Sequence, residues 1–240
     1  MLDVFHGVGI INSLVALIPG ALIFYFVFKQ DKKEKEPIWL LLLLVVFGAI
    51  STFIAGKVDT VLINDVLAAV LSPHSMLFQI ICYFVIVATV EEGLKYFAMR
   101  LTTWKSKHFN YRFDGVVYGA CVGLGFGLYE TFGMAGQSAF NIMLIKSLTG
   151  IPGHVSYGII MGLLYGYAKA LDIGGKKRLS LFFRVLAFAI PWAIHGTYDF
   201  IASLTDYGIT SMGAVYLMVL ITIIVAAILL KVCSVKDKEI

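Results

Sequence analysis

Seven long apolar stretches alternate with short polar ones along the chain. They cover roughly residues 8–28, 38–56, 77–99, 114–134, 154–171, 182–203 and 211–231. Each is about 18–25 residues long, enough for a helix to cross ~30 Å of hydrocarbon. Two weaker stretches interrupt the pattern. Residues 57–72, KVDTVLINDVLAAVLS, alternate polar and apolar at helical spacing and read as a helix lying along the interface. Residues 138–151, SAFNIMLIKSLTGI, are apolar but short and read as a re-entrant or interfacial piece. The expected fold is all-α: a polytopic membrane helix bundle of about seven transmembrane helices.

Composition supports this reading. Of the 240 residues, 60% are hydrophobic and 14% charged, and the mean hydropathy is +0.89. A soluble domain is about half apolar and a quarter charged. No Gly/Ser linker or Pro-rich tract divides the chain, so residues 1–240 form one integral membrane domain. Cys82, Cys121 and Cys233 are odd in number, lack metal-ligand spacing and read as small buried hydrophobes.

Charge placement orients the spans. Sixteen of the nineteen Lys and Arg fall in loops 29–37, 100–113 and 169–184 and in the tail from Lys231 onward. The opposite loops hold only Lys57 and Lys146, and Lys95 lies inside a span. By the positive-inside rule the N-terminus is outside and the C-terminus cytoplasmic, in a bacterial plasma membrane. The first seven residues carry no Lys or Arg, so a cleaved signal peptide is not expected.

Spans one and two hold no Asp, Glu, His, Lys or Arg, and span seven only Lys231 at its cytoplasmic end; all three read as lipid-facing scaffold. The middle spans differ. Span three carries Glu91, Glu92 and Lys95; span four carries Glu130, with Asp114 at its mouth; span five opens with His154; span six carries His195 and Asp199. A charge at mid-membrane costs about 2.5–3.5 kcal/mol on insertion scales, so such groups face a bundle interior and serve function. Lys95 is i+4 from Glu91 and i+3 from Glu92, and Asp199 is i+4 from His195. Adjacent Glu91 and Glu92 diverge by about 100°, so one faces a given centre and the other supports it. Gly115, Gly119, Gly123 and Gly127 form one stripe, and Gly158, Gly162 and Gly166 another. Such stripes let helices approach closely, which would bring Glu130 toward His154. Counted from the cytoplasmic ends, Glu91, Glu130 and His195 sit ~20, ~24 and ~16 Å deep, with His154 nearer the outer end.

The set lacks a GxSxG elbow, an HExxH pair and a phosphate loop. It suits water activation: a buried carboxylate as general base and histidine as proton partner or oxyanion donor. The same ligands could hold a divalent metal such as zinc, and spacing alone does not separate the two schemes. Ion- or proton-coupled transport uses the same residue types, although no internal repeat supports it.

The motifs EEGLK (Glu91 to Lys95), FDGVVYG (Phe113 to Gly119), GFGLYE (Gly125 to Glu130, including Phe126), the lone GH at His154 and HGTYD (His195 to Asp199) occur in order on four spans. In this the chain resembles the PrsW-type membrane proteases, relatives of the CAAX prenyl endopeptidases and bacteriocin-immunity proteins. The resemblance covers about residues 76–204 and implies a catalytic four-helix core there. It implies an intramembrane endopeptidase in which Glu91 activates water, Glu92 and Lys95 support it, and His195 stabilises the oxyanion. It adds Glu130 and His154 to the catalytic set and leaves Asp199 to orient His195. It implies no cofactor; the metal-dependent alternative would place an ion on Glu91, Glu130, His154 and His195. The implied partner is a single-pass membrane protein, an anti-sigma factor cut at site 1 in a stress response, with membrane lipid around and no nucleic acid. CAAX-type processing and immunity-like binding are the other readings within the resemblance.

Overall fold

A computed structural model describes residues 2–135 and 139–240. These residues form seven long helices, and no strand occurs among them. They are α1 (Leu2–Gln30), α2 (Ile38–Val70), α3 (Met76–Thr103), α4 (Arg112–Met134), α5 (Phe140–Ile173), α6 (Lys177–Ser203) and α7 (Met212–Val235). Within the described residues, α1, α2, α3, α6 and α7 are long and apolar enough to cross a membrane. The remaining two, α4 and α5, are the glycine-rich pair, whose side chains are mostly covered by other helices. Glycine adds close packing but little hydropathy.

Two sequence expectations are corrected. Residues 57–70 are not a separate interfacial helix. They prolong α2 through a π-helical turn at Leu62–Leu67. The 57–72 stretch is therefore the far end of a span, and it carries Asp59 into the bundle. Nor is 138–151 a separate piece. From Phe140 onward it is the first part of α5, which runs on through Pro152; Ser138 lies outside the described residues. Lys146, Asn141 and Ser147 had lowered the apolar signal. His154 is thus fourteen residues into a helix rather than at its end.

The scaffold reading of span two is also revised. A Cβ on Gly48 of α2 would come closer than 3.0 Å to backbone atoms of Val122 and Phe126 of α4. One on Gly125 would meet the backbone of Val45 equally closely. Leu40, Leu41 and Leu44 are buried beside this contact. One face of α2 is core and its other face meets lipid.

The α4–α5 seam forms as the glycine stripes predict. Gly115 faces Gly162, Gly119 faces Gly158 and Gly123 faces the His154 backbone. Each added Cβ would lie under 3.0 Å from a backbone carbonyl of the other helix. Backbone cannot swing aside as a side chain does. Gly119→Ala should therefore destabilise by about 1–3 kcal/mol, the usual overpacking range. Gly56→Ala, where a Cβ meets open space, should be neutral. Thermal unfolding of the two variants in the same detergent checks this; equal midpoints would contradict the seam.

Local caps fix where helices begin. Asp114 Oδ2 accepts the Tyr111 and Asn110 backbone N–H at 2.7 and 3.0 Å, closing the first turn of α4. The sequence placed Asp114 at the cytoplasmic mouth of span four, and there it caps the helix. Ser211 Oγ accepts the Ala214 N–H at the start of α7. Between α1 and α2, Glu36 is buried and accepts the Tyr118 hydroxyl at 2.7 Å. Burial pushes its carboxyl up to about 7, more than that hydrogen bond lowers it. The tail returns to the same end, with the Ile240 N–H donating to Asn110 O at 2.8 Å. The three cysteines are free thiols, with Cys82 and Cys121 buried.

Candidate active site

The ionisable groups of α3 to α6 converge. On α3 a π-helical stretch, Ile81–Ala88, ends three residues before Glu91. Insertions of this kind rotate the following residues and recur at functional sites. Below it the two glutamates diverge as the helix repeat requires. Glu92 points into the core and is fully buried. Its Oε1 accepts from Lys95 Nζ at 2.7 Å and from His195 Nδ1 at 2.8 Å. Glu91 instead lines a cavity of about 220 Å³. Its Oε2 has no hydrogen-bond partner and lies 3.7 Å from Lys95 Nζ and 3.8 Å from His195 Nε2.

Lys95 ties the cluster together. Its ammonium also reaches His154 Nδ1 at 2.9 Å and sits 3.8 Å from the centre of the Phe126 ring. That ring supplies a cation–π contact in a site shielded from water. An ammonium can only donate, so His154 Nδ1 accepts and the proton sits on Nε2. The Nε2–H then donates to Glu130 Oε2 at 2.7 Å. The close α4–α5 seam makes this bond possible, since Gly127 lies against Ile151 and the His154 ring.

His195 lies between three carboxylates. Nδ1 faces Glu92, and Nε2 faces Asp199 Oδ2 at 3.1 Å and, farther off, Glu91. Both nitrogens donate only when the ring is an imidazolium. The i,i+4 pair with Asp199 orients the ring as the helical spacing suggests. Tyr157 stacks on the other side, with ring centroids 5.0 Å apart and planes 24° from parallel.

All the sequence-derived candidates thus meet: Glu91, Glu130, His154, His195 and Asp199 line the cavity, and Glu92, Lys95 and Phe126 support it from behind. Three participants were missed. Tyr157 lines the cavity one turn after His154, and that spacing was available in the sequence. Asp59 is buried, leaves Oδ1 unpartnered and lies within electrostatic reach of His195 and Asp199. Its signal was lost when the 57–72 stretch read as interfacial. Val219 brings α7 into the wall, so span seven is not purely scaffold.

Residues 36–228 match the model of the PrsW family intramembrane metalloprotease. The chain belongs to the PrsW family. Protease PrsW of Clostridioides difficile (strain 630) is 29% identical over 211 residues, covering 86% of this chain and 85% of that protein. Protease PrsW of Bacillus subtilis (strain 168) is 27% identical over 185 residues, covering 77% and 79%. Protease PrsW of Geobacillus kaustophilus (strain HTA426) is 28% identical over 183 residues, covering 76% of each. No solved structure matches. PrsW membership and the apolar helices together make this a multi-pass membrane protein.

A metal is implied by the family's description, and the donor set fits one. A carboxylate oxygen of Glu91 and ring nitrogens of His154 and His195 lie within 4.8 Å of one another. Two histidines and a carboxylate form an ordinary catalytic zinc set that leaves a fourth position open. The orphaned Oε2 of Glu91 suits a ligand role, and Glu92 on His195 Nδ1 is the outer carboxylate such sites use. Glu130, one of the four metal candidates from sequence, lies outside this three-residue group.

Proposed function

We propose that the chain is an intramembrane endopeptidase that hydrolyses a peptide bond of a membrane-anchored protein with water activated at Glu91. One observation carries the reading: Glu91, whose Oε2 has no hydrogen-bond partner, lines a cavity of about 220 Å³ together with two histidines, inside a membrane bundle. Water at Oε2 would give up its proton to Glu91 as it attacks the carbonyl carbon, and Glu91 would pass that proton to the amide nitrogen as the C–N bond breaks. His195, held at Nδ1 by Glu92, would turn its Nε2–H from Asp199 to the developing oxyanion. Glu92 stays out of the chemistry, because it does not line the cavity and its Oε1 is shared by Lys95 and His195. A zinc-class ion, if bound by Glu91, His154 and His195, would lower the pKa of its water toward about 7.

The catalytic core is residues 76–204, α3 to α6, with α2 and α7 closing it. The cavity wall includes Lys146, Thr149 and Gly150 from the start of α5. These lie at the end opposite the Lys- and Arg-rich loops, which supports an outward-opening site with the N-terminus outside. The substrate proposed is a single-pass anti-sigma factor cut near the outer face, the first step of a bacterial stress response. Co-expression with a tagged single-pass substrate, in cells lacking other site-1 activity, tests this. A shorter membrane fragment should appear with wild type and not with His195→Ala; an unchanged substrate pattern would count against it.

Tyr157 is the best-placed additional donor. Its ring stacks on His195, and the residue lines the cavity. Tyr157→Phe should lower kcat roughly 10²–10³-fold, the usual effect of removing one oxyanion donor, and leave KM little changed. Steady-state cleavage of a fluorogenic transmembrane peptide reads this out. Unaltered kcat would reduce Tyr157 to a packing partner of His195.

A further inference from the structure

A second recess lies outside the active site. It is a groove of about 370 Å³ between α3 and α6, on the face that meets lipid. Its walls are apolar: Gly93 and Phe97 on α3, Val185 and Phe188 on α6. The groove is open at Gly93, where an added Cβ would meet only Phe188, at 3.9 Å. From Thr89 to Arg100 the α3 wall runs ~16 Å along the helix. An apolar groove in a membrane helix face could simply hold any acyl chain. What distinguishes this one is its basic end.

Arg100 and Arg184 both line that end, one from each helix. Every ion pair among the described residues uses a lysine or a histidine. Both guanidiniums are therefore without a carboxylate partner. Arg184 is pinned rather than free, with its guanidinium 5.3 Å from the Trp104 ring centre. Its Nε is buried and has no hydrogen-bond acceptor. A snorkelling arginine would place its polar atoms in water; this one leaves a donor dry and unpaired beside a second cation. The end concerned is also where the basic loops gather, the leaflet side on which anionic headgroups are bound.

We propose that this groove is a binding site for an anionic phospholipid. One acyl chain lies along Gly93, Phe97, Val185 and Phe188, and the phosphate bridges Arg100 and Arg184. Guanidinium donors match phosphate oxygens in paired geometry. The site borders the helix that carries Glu91 and Glu92 but shares no residue with the cavity. The proposal stands whether or not the chain cleaves peptides.

Native mass spectrometry of the full chain, released from detergent micelles, tests it. The probes are dioleoyl phosphatidylglycerol, dioleoyl phosphatidylcholine and inorganic phosphate. Wild type should retain phosphatidylglycerol in preference to phosphatidylcholine. Replacing both arginines, Arg100→Gln with Arg184→Gln, should weaken phosphatidylglycerol binding roughly 30-fold, at about 1 kcal/mol for each charge removed. Arg178→Gln, an exposed position at the same end but off the groove, should leave it unchanged. Val185→Trp, which fills the groove with both arginines intact, should also weaken binding and covers the case in which the double variant does not fold. Equal retention of the two lipids would overturn the proposal. So would undiminished phosphatidylglycerol binding in the groove-filled variant, or inorganic phosphate competing as well as the lipid.

Discussion

Glu91→Gln should reduce peptide-bond cleavage by about 10²–10⁴-fold, the range for loss of a general base. The substitution preserves shape, and Oε2 of Glu91 makes no hydrogen bond to the protein. No buried network is broken, so the fold and its thermal midpoint should hold. Only the proton acceptor is lost. Glu92→Gln is the informative contrast. Its carboxylate is fully buried between Lys95 and His195, so that change should lower stability together with activity. Measuring rate and thermal midpoint for both variants separates a catalytic glutamate from a structural one. If Glu92→Gln abolished cleavage without loss of stability while Glu91→Gln remained active, the assignment of the two would be reversed.

The second large effect is on stability. Lys95 is 1% exposed and pairs with Glu92, itself fully buried. Removing one partner of a buried ion pair strands the other charge and costs about 3–5 kcal/mol. Lys95→Met should fall near the lower end, because His195 still donates to Glu92. It also removes the donor that fixes the His154 tautomer, so the His154–Glu130 bond loses its direction. Adding Glu92→Gln to Lys95→Met removes the stranded charge and should recover part of the lost stability. A denaturant titration in mixed micelles measures both variants. A Lys95→Met protein as stable as wild type would show that the lysine is not the centre of the cluster.

Spans were legible where a long apolar run met lipid on at least one face, as in α1, α3 and α7. Spans failed to be drawn to full length where polar residues face the bundle. Asp59 at the end of α2 and Ser147 in α5 are buried in the bundle and Lys146 lines the cavity, while Lys57 and Asn141 are exposed; all five lower local hydropathy, and tertiary packing keeps the helices intact. The divergence of Glu91 and Glu92 was readable from a 100° step, and the His195–Asp199 pair from a four-residue spacing. The glycine stripes announced a close helix pair, and the facing glycines confirm its register. Contacts between distant segments carried no local signal. Lys95 to His154 spans 59 residues and Glu92 to His195 spans 103. Which glutamate faces the cavity depends on those two bonds, and spacing could not decide it.

The glutamate and metal schemes share Glu91, His154 and His195, and differ in what activates the water. The two schemes also assign different work to Glu130. In the first it fixes the proton of His154; in the second it must yield that nitrogen to the ion. Lys95 bears on this choice as well, since its ammonium holds His154 Nδ1 as an acceptor and the proton on Nε2. The arrangement described, with Nε2 donating to Glu130, is the one in which His154 acts as a polar support to the cavity.

The most direct measurement is cleavage of a tagged single-pass substrate by purified protein in ¹⁸O-labelled water, with and without excess chelator. Wild type and Glu91→Gln would be followed in parallel by mass spectrometry of the new C-terminus. The account predicts a single labelled oxygen at one bond near the outer end of the substrate helix. It predicts wild-type cleavage that survives chelation, and almost none with Glu91→Gln. Equal cleavage by the two proteins would contradict the central role of Glu91, and loss of wild-type cleavage on chelation would contradict water activation by the carboxylate alone.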